Sequence, residues 1–312
     1  MKLRAYGNPI IDYRIAKNVL RKAMGPSEER KLLGAIKRGD QARKLLSGRD
    51  RDGRIPFHPY AKWFGAHWIL TALAEIDYPP GDGDIKGLVD QAYEWLSGFR
   101  SGWKVVKGKV RTHPCMLGNA LYYLSKLGFA DGRADDILAM ILETRWPDGG
   151  WNCDAKPGAS ISSITTTRLV LRGLNEYDGR KPTAGIRGII DGASRLITDR
   201  GVFLSRKTGR VIHPYMQELS YPAYYHYTAL SALTVLMEIG HKNAGSLDKA
   251  LDSIEGKELE GGGFPAERKR YAVSDGHGHG SSPAGWGKTG GKTMNEYVTV
   301  DALAVLRYYG RA

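Results

Sequence analysis

The side chains that could carry out chemistry in this sequence lie in short polar segments next to apolar helices. Cys153 and Asp154 directly follow the motif DGGW at 148–151, while His113 and His226 lie at or just before predicted helix starts. A cysteine beside a histidine is an activated nucleophile, and a carboxylate beside a histidine forms a proton-transfer pair. The sequence therefore predicts acid–base or nucleophilic catalysis, with structural roles in turns and caps as the alternative. The predicted catalytic residues are His226, Cys153, Asp154, His113 and Glu218.

Two kinds of helix alternate along the chain after Arg54. One kind is apolar around most of its surface and is expected to lie inside the fold, whereas the other is amphipathic and is expected to cover it. The inner helices are predicted at 60–76, 116–128, 162–174, 224–240 and 295–310, and the outer helices at 85–99, 133–146, 186–197 and 245–256.

The spacing of these helices predicts a repeating architecture. Segments rich in Gly, Pro and Asp separate them, and one inner plus one outer helix takes roughly 45 to 60 residues, which is typical of stacked helical hairpins. Such hairpins bury their apolar faces best when the array closes. We therefore expect an all-α fold, an (α/α) toroid barrel of five to six helical hairpins with inner and outer rings, as a single compact unit over residues 55–312. Residues 1–54 are predicted to form a basic N-terminal helical arm that completes the barrel or packs outside it.

In such a barrel the inner helices all run in the same direction, so the segments that precede them meet at one rim. Exposed N–H groups at helix starts favour a thiolate or a carboxylate there. Aromatic side chains near the rim are expected to line a central pocket, although each could equally be an ordinary core residue. The predicted substrate-binding residues are Trp63, His67, Trp68, Tyr122, Trp151, Tyr225 and Tyr297.

Several motifs resemble those of the terpenoid cyclase and protein prenyltransferase superfamily. These are DGGW at 148–151, EGGGF at 260–264, GNALYYLSKLG at 118–128 and YYHYTALSALTVL at 224–236. The chain is also similar to bacterial squalene cyclase-like or prenyltransferase-like repeat proteins over about residues 55–312. The resemblance implies an α/α toroid and a reaction on an apolar or isoprenoid-like small molecule. The Asp-x-Asp-Asp motif of the cyclases is absent from the sequence, so the reaction stays unassigned.

The resemblance also bears on cofactors. In protein prenyltransferases a zinc ion is held by an Asp, a Cys and a His, and the context of that His maps the role onto His226. Cys153 and Cys115 would then be the remaining ligands of a mixed sulfur and nitrogen site. No closely spaced pair of ligands supports such a site, and we expect no cofactor, with zinc as the alternative.

Composition limits the other classes of function. The net charge of +13 is concentrated in residues 1–54, which contain 15 Lys and Arg against 6 Asp and Glu. We expect no specific nucleic-acid partner, although this arm can contact anionic surfaces. Two cysteines are too few for a disulfide framework, and without a membrane span or signal peptide the expected location is the cytoplasm. The alternatives to the lead function are a glycan lyase or hydrolase, with Asp154 and Glu218 as its carboxylates, and a non-catalytic lipid-binding toroid.

Overall fold

The computed structural model describes residues 7–274 and 278–311, and this part of the chain is mostly helical, which confirms the all-α prediction. A π-helical turn, Ile15–Val19, directly continues the first helix. The α-helices are α1 Pro9–Arg14, α2 Pro26–Arg38, α3 Asp40–Leu46, α4 Ala66–Glu75, α5 Lys86–Ser97, α6 Pro114–Lys126, α7 Gly132–Glu143, α8 Ile164–Arg180, α9 Ile186–Thr198, α10 Ala229–Glu238, α11 Asp248–Glu255 and α12 Glu296–Tyr308.

Two pairs of short strands were not predicted. Strands β1 (Lys104–Val106) and β2 (Lys109–Arg111) form an antiparallel hairpin between α5 and α6. Lys107 and Gly108 connect them with φ values of 50° and 69°, as a two-residue hairpin turn requires. Strands β3 (Ala272–Val273) and β4 (Ser281–Ser282) pair in parallel. A three-residue strand is too short to show an alternating pattern of apolar and polar residues, so the hairpin could not be predicted from the sequence.

Two inner helices begin later than predicted. α4 begins at Ala66 rather than at 60, and Gly65 before it packs so closely that a Cβ would lie 2.4 Å from the Pro59 carbonyl oxygen. α10 begins at Ala229 rather than at 224, because Thr228 and Ser231 form a reciprocal capping box that fixes the start. The residues before both helices therefore form loops instead of first turns.

The five apolar helices pack against one another in chain order. α4 contacts α6, α6 contacts α8, α8 contacts α10, and α10 contacts α12. Each amphipathic helix packs on the apolar helix that precedes it: α5 on α4, α7 on α6, α9 on α8, and α11 on α10. The contacts between neighbouring helices thus follow the predicted alternation of apolar and amphipathic helices.

The N-terminal segment shares this core. α1 and the π-helical turn contact α12, and Ile10 and Ile11 are fully buried in the same apolar cluster as the later helices. The Arg14 guanidinium pairs with the Asp301 carboxylate of α12 at 2.5 Å, and Lys17 pairs with Asp77 at 2.8 Å. The first helical residues therefore pack on the later helices, while a boundary at residue 54 stays a prediction. In the part of the chain that the structure covers, no helix combines the length and apolarity needed to cross a bilayer.

Glycine allows α6 and α8 to approach closely. A Cβ added to Gly118 would lie 2.6 Å from the Val170 Cα, and one added to Gly173 would lie 2.2 Å from the Gly118 carbonyl oxygen. Both glycines lie within helices, where they disfavour the helix by about 1 kcal/mol relative to Ala. That cost is offset by the backbone contact, which brings the starts of the two helices side by side.

We predict that Gly118→Ala lowers the free energy of unfolding by about 1–3 kcal/mol, because the added methyl must push two helix backbones apart. Gly179→Ala is the matched control on α8, since a Cβ there meets no atom within 4 Å. The control should leave stability unchanged or raise it by up to about 1 kcal/mol. The stability of both variants is measured by urea unfolding monitored by circular dichroism. Equal unfolding midpoints for the Gly118→Ala and Gly179→Ala variants would contradict the close approach of the two helices.

Candidate functional site

A cavity of about 570 Å³ opens among the N-terminal ends of α4, α6 and α8. Its wall combines aromatic and aliphatic side chains with polar groups. A second cavity of about 410 Å³, on the side of the β1–β2 hairpin, shares His113 and Cys153 with the first. The first cavity is lined by Tyr60, Lys62, His67, Trp68, His113, Cys115, Met116, Asn119, Asn152, Cys153, Ser163, Thr165, Thr166, Leu169 and Tyr225.

The DGGW turn at 148–151 fixes the backbone that carries Cys153. The Asp148 carboxylate accepts hydrogen bonds from the backbone N–H and the hydroxyl of Ser162, at 2.7 and 2.5 Å. Trp151 is fully buried, and its indole N–H donates to the Ile141 carbonyl of α7 at 2.8 Å. The motif therefore connects the end of α7 to the segment just before α8. These contacts hold the backbone from which the Cys153 side chain extends.

The hairpin fixes the opposite segment, which carries His113 and Cys115. Arg111, the last residue of β2, is buried and donates to the carbonyls of Asp154 and Ala159 at 3.3 and 3.0 Å. His113 precedes Pro114, the first residue of α6, where a proline is favoured because its missing N–H would be unpaired. Arg111 thus joins the segment before α6 to the loop before α8.

Two cysteines and a histidine meet where these segments approach. The Cys153 and Cys115 sulfurs lie 2.8 Å apart, and neither cysteine is in a disulfide. The Thr166 hydroxyl, in the first turn of α8, donates to the Cys153 sulfur at 3.4 Å. The His113 side chain forms a hydrogen bond with the same sulfur. Cys153 therefore has three polar partners, whereas the only side-chain partner found for Cys115 among the described residues is Cys153.

These contacts stabilise a thiolate on Cys153. The hydrogen bond from Cys115, aided by those from His113 and Thr166, outweighs burial and lowers the pKa of Cys153 to about 5. The contact with Cys153 raises the pKa of His113, and the same contact together with burial raises the pKa of Cys115. At neutral pH the favoured state is a Cys153 thiolate that accepts a hydrogen bond from the Cys115 thiol.

The facing wall of the cavity carries a cation and a buried histidine. The Lys62 ammonium lies 3.2 Å from the Tyr225 hydroxyl. His67 is fully buried, and burial lowers its pKa to about 3, so its ring is neutral. Its Nε2 accepts from the Asn119 amide at 3.1 Å, which leaves Nδ1 to donate to the Tyr123 hydroxyl at 3.3 Å. This wall therefore holds fixed hydrogen-bonding groups rather than a second proton-transfer residue.

Of the residues predicted for the site, one group meets at the first cavity. Two predicted catalytic residues, His113 and Cys153, line this cavity. Cys115, predicted only as a ligand in the zinc alternative, also lines it. The predicted substrate-binding residues that line it are His67, Trp68 and Tyr225.

The other predicted catalytic residues lie elsewhere. Asp154 is exposed and caps the backbone N–H of Lys156. Glu218 is held in ion pairs with Arg268 and Arg270 at 2.9 and 3.0 Å. The His226 ring packs against Tyr225 with a centroid distance of 4.4 Å, and burial together with nearby cations lowers its pKa to about 4.

The remaining aromatic residues pack into the core. Trp63 stacks on Tyr224 at a centroid distance of 4.1 Å, and Trp151 supports the turn before Cys153. Tyr122 lies beneath the Arg172 guanidinium at 4.0 Å, and Tyr297 stacks on Tyr221 at 4.7 Å. These four aromatic side chains therefore pack as ordinary core residues, which was the alternative to substrate binding.

Several lining residues were not predicted for the site. Tyr60, Lys62 and Asn119 lie in segments expected to be helical, and Asn152 and Thr166 belong to none of the named motifs. The start of α8 offered one usable signal. A Ser or Thr in the first turn of a helix that follows a cysteine can donate to its sulfur, as Thr166 does.

Metal binding has no further support from the described residues. No group of three or more His, Cys, Asp or Glu side chains within 7–274 and 278–311 is arranged to hold an ion. His226, assigned by resemblance as a zinc ligand, contacts aromatic rings rather than either cysteine. The zinc alternative stays a prediction.

Comparison with known proteins adds little. No protein-family model and no curated protein matches this sequence. The crystal structure of a protein from Actinoplanes is similar over 96% of this chain and 90% of that one, with 13% identity and a TM-score of 0.45. At this level the similarity supports no conclusion about fold or function.

We predict that alkylation of Cys153 by iodoacetamide depends on pH with a midpoint near the lowered pKa of about 5. The thiolate is the reactive form, so the rate should fall only as the pH drops through that value and should be flat above pH ~7. Peptide mass spectrometry with Cys153→Ala as the blank isolates this residue. A wild-type midpoint near the ordinary thiol pKa of about 8.5 would contradict the interpretation.

The same measurement tests the role of Cys115. Cys115→Ala removes the main hydrogen-bond donor to Cys153, so we expect the midpoint to move upward toward the ordinary thiol value. Cys115→Ser retains an O–H donor and should keep most of the lowering. A Cys115→Ala midpoint equal to that of the wild type would show that Cys115 does not stabilise the thiolate.

Proposed function

We propose that this protein is an enzyme that uses the Cys153 thiolate as a nucleophile toward a small, largely apolar molecule held in the cavity. The observation that carries the proposal is the convergence of Cys153, His113 and Cys115 on the wall of one cavity of about 570 Å³. That volume is in the range of small-molecule sites. A thiolate with a histidine partner is the arrangement that nucleophilic catalysis requires.

The chemistry follows from the protonation states. The Cys153 thiolate attacks an electrophilic carbon of the substrate and forms a C–S bond, while the electron pair of the broken bond moves to the leaving group. His113, whose contact with Cys153 raises its pKa, protonates the leaving group as a general acid. Neutral His113 then removes a proton from the acceptor that releases the product from Cys153. The transfer or hydrolysis of an acyl or alkyl group fits this sequence of steps.

The lining supports an apolar or isoprenoid-like substrate. Trp68, Met116, Leu169 and the rings of Tyr60 and Tyr225 supply apolar surface beside the thiolate. No Asp or Glu is among the residues found to line the cavity in the described part of the chain. Hydrolysis of a glycosidic bond usually uses a pair of carboxylates across the scissile bond, so the glycan alternative has less support.

We also propose that the helical hairpins close into an (α/α) toroid. The chain-order contacts from α4 to α12 support this, as do the contacts of the N-terminal segment with α12. Lys17 of the π-helical turn also pairs with Asp77, which lies just after α4. The segment 9–19 would then be the sixth inner element, placed between α12 and α4.

The proposal is tested by labelling with two chloroacetamides, one carrying a ten-carbon alkyl chain and one a short polar group. We expect Cys153 to react at least about tenfold faster with the alkyl reagent, because the apolar wall binds the chain beside the thiolate. Peptide mass spectrometry locates the label. Equal rates with both reagents, or no modification of Cys153, would contradict an apolar site around this thiolate.

His113→Ala should slow labelling of Cys153 at pH 6, since one of the groups that stabilise the thiolate is lost. Its side chain makes no capping hydrogen bond to α6, so the helix start should survive. His213→Ala is the matched control, because His213 also precedes a proline but is exposed. Equal rates in both variants would remove His113 from the site.

A further inference from the structure

We propose a second activity for the same site: Cys153 and Cys115 form a dithiol that reduces small organic disulfides, with Cys153 as the attacking residue and Cys115 as the resolving one. The inference rests on the proposed function in one respect, namely that Cys153 is a nucleophile. It adds a role for Cys115, which that function uses only as a hydrogen-bond donor. The two cysteines of the dithiol are 38 residues apart in the sequence.

The distance between the sulfurs favours disulfide formation. They lie 2.8 Å apart, and a disulfide bond requires about 2.05 Å, so one sulfur must move by less than about 1 Å. The two cysteines are also held differently. Cys115 lies in the first turn of α6, whereas Cys153 lies in a non-helical loop between Trp151 and Ser163. Cys153 can therefore move toward Cys115 without the loss of helical hydrogen bonds.

The polar contacts give each sulfur a different role. Thr166 and His113 both contact the Cys153 sulfur, which concentrates the negative charge there. Cys115 makes its sulfur contact with Cys153 itself. Both cysteines line the first cavity, so a small disulfide bound there can reach the thiolate while Cys115 stays beside it. An attacking thiolate next to a protonated thiol is the arrangement that thiol–disulfide exchange requires.

The exchange balances in two steps. The Cys153 thiolate attacks one sulfur of a disulfide R–S–S–R, which forms a mixed disulfide on Cys153 and releases R–S⁻. Cys115 transfers its proton to a released thiolate, and its sulfur then attacks the Cys153 sulfur and displaces the second R–S⁻. In sum, one disulfide, the Cys153 thiolate and the Cys115 thiol give the Cys115–Cys153 disulfide, one R–SH and one R–S⁻, and the last R–S⁻ takes a proton from solvent. An added dithiol reductant restores the starting state.

The reaction would also switch the proposed nucleophile off. In the Cys115–Cys153 disulfide neither sulfur is a thiolate, so Cys153 cannot attack a carbon electrophile. Reduction should restore that reactivity. The redox state of the pair therefore controls whether the cavity holds a nucleophile.

The test uses the full chain, reduced and then freed of reductant, with 2,2′-dithiodipyridine as the probe. Its small aromatic disulfide suits the cavity, and the released pyridine-2-thione is measured by absorbance. The chain has two cysteines, so the products can be read from intact mass. With one equivalent of probe per chain, we expect the wild type to release both thiones, carry no adduct and lose two hydrogens.

The variants assign the roles. Cys115→Ser should release one thione and keep the pyridylthio group on Cys153, because nothing resolves the mixed disulfide. Cys153→Ala should react at least about tenfold more slowly than Cys115→Ser, since Cys115 then has no side-chain donor beside it to stabilise its thiolate. Circular dichroism and the unfolding temperature of each variant should match the wild type. After dithiothreitol, the wild type should regain its labelling by the alkyl chloroacetamide.

The outcomes separate this inference from the proposed function. A wild-type chain that keeps one adduct on Cys153, or that with excess probe carries an adduct on each cysteine, would overturn the dithiol activity and leave the Cys153 nucleophile in place. Equal rates for Cys153→Ala and Cys115→Ser would overturn both. The wild-type mass alone decides the exchange, so the conclusion does not depend on either variant folding.

Discussion

The close approach of α6 and α8 is the constraint on which the site depends. At Gly118 and Gly173 the two helix backbones are in contact, and side chains there would push them apart. The contact sets the starts of both helices side by side. Cys115 in the first turn of α6 and Cys153 before α8 therefore place their sulfurs 2.8 Å apart. The distance between the two sulfurs is therefore set by how closely the two helices pack.

Charged groups join α8 to the neighbouring apolar helices α4 and α10. Arg172 of α8 pairs with Glu75, the last residue of α4, and with Glu238, the last residue of α10. Burial alone would raise the pKa of Glu75, but the charge and hydrogen bond of Arg172, together with the charges of Arg14 and Lys126, outweigh burial and lower the pKa. Charges that are buried need partners of opposite sign. Arg172, Glu75 and Glu238 are not among the residues found to line the cavity in the described part of the chain.

The two glycine-rich motifs, DGGW at 148–151 and EGGGF at 260–264, place the backbone of neighbouring elements. In DGGW, Asp148 and Trp151 bind neighbouring elements, and a Cβ at Gly150 would lie 2.4 Å from the Leu196 side chain. In EGGGF, the Phe264 backbone N–H donates to the Thr299 hydroxyl of α12 at 2.9 Å. Each motif joins an outer helix to the next inner helix. The residues found to line the cavity lie outside both motifs.

The sequence by itself determined the all-α class and the alternation of apolar and amphipathic helices, because helical periodicity is a local property of the chain. It also brought His113, Cys115 and Cys153 under consideration, since their segments precede inner helices. Only the tertiary structure decided that His113, rather than His226, contacts Cys153. It also decided that Trp63, Tyr122 and Tyr297 pack in the core. Contacts between distant segments set the rotation of each helix about its axis and the path of each loop. These contacts cannot be predicted from the spacing of residues along the chain.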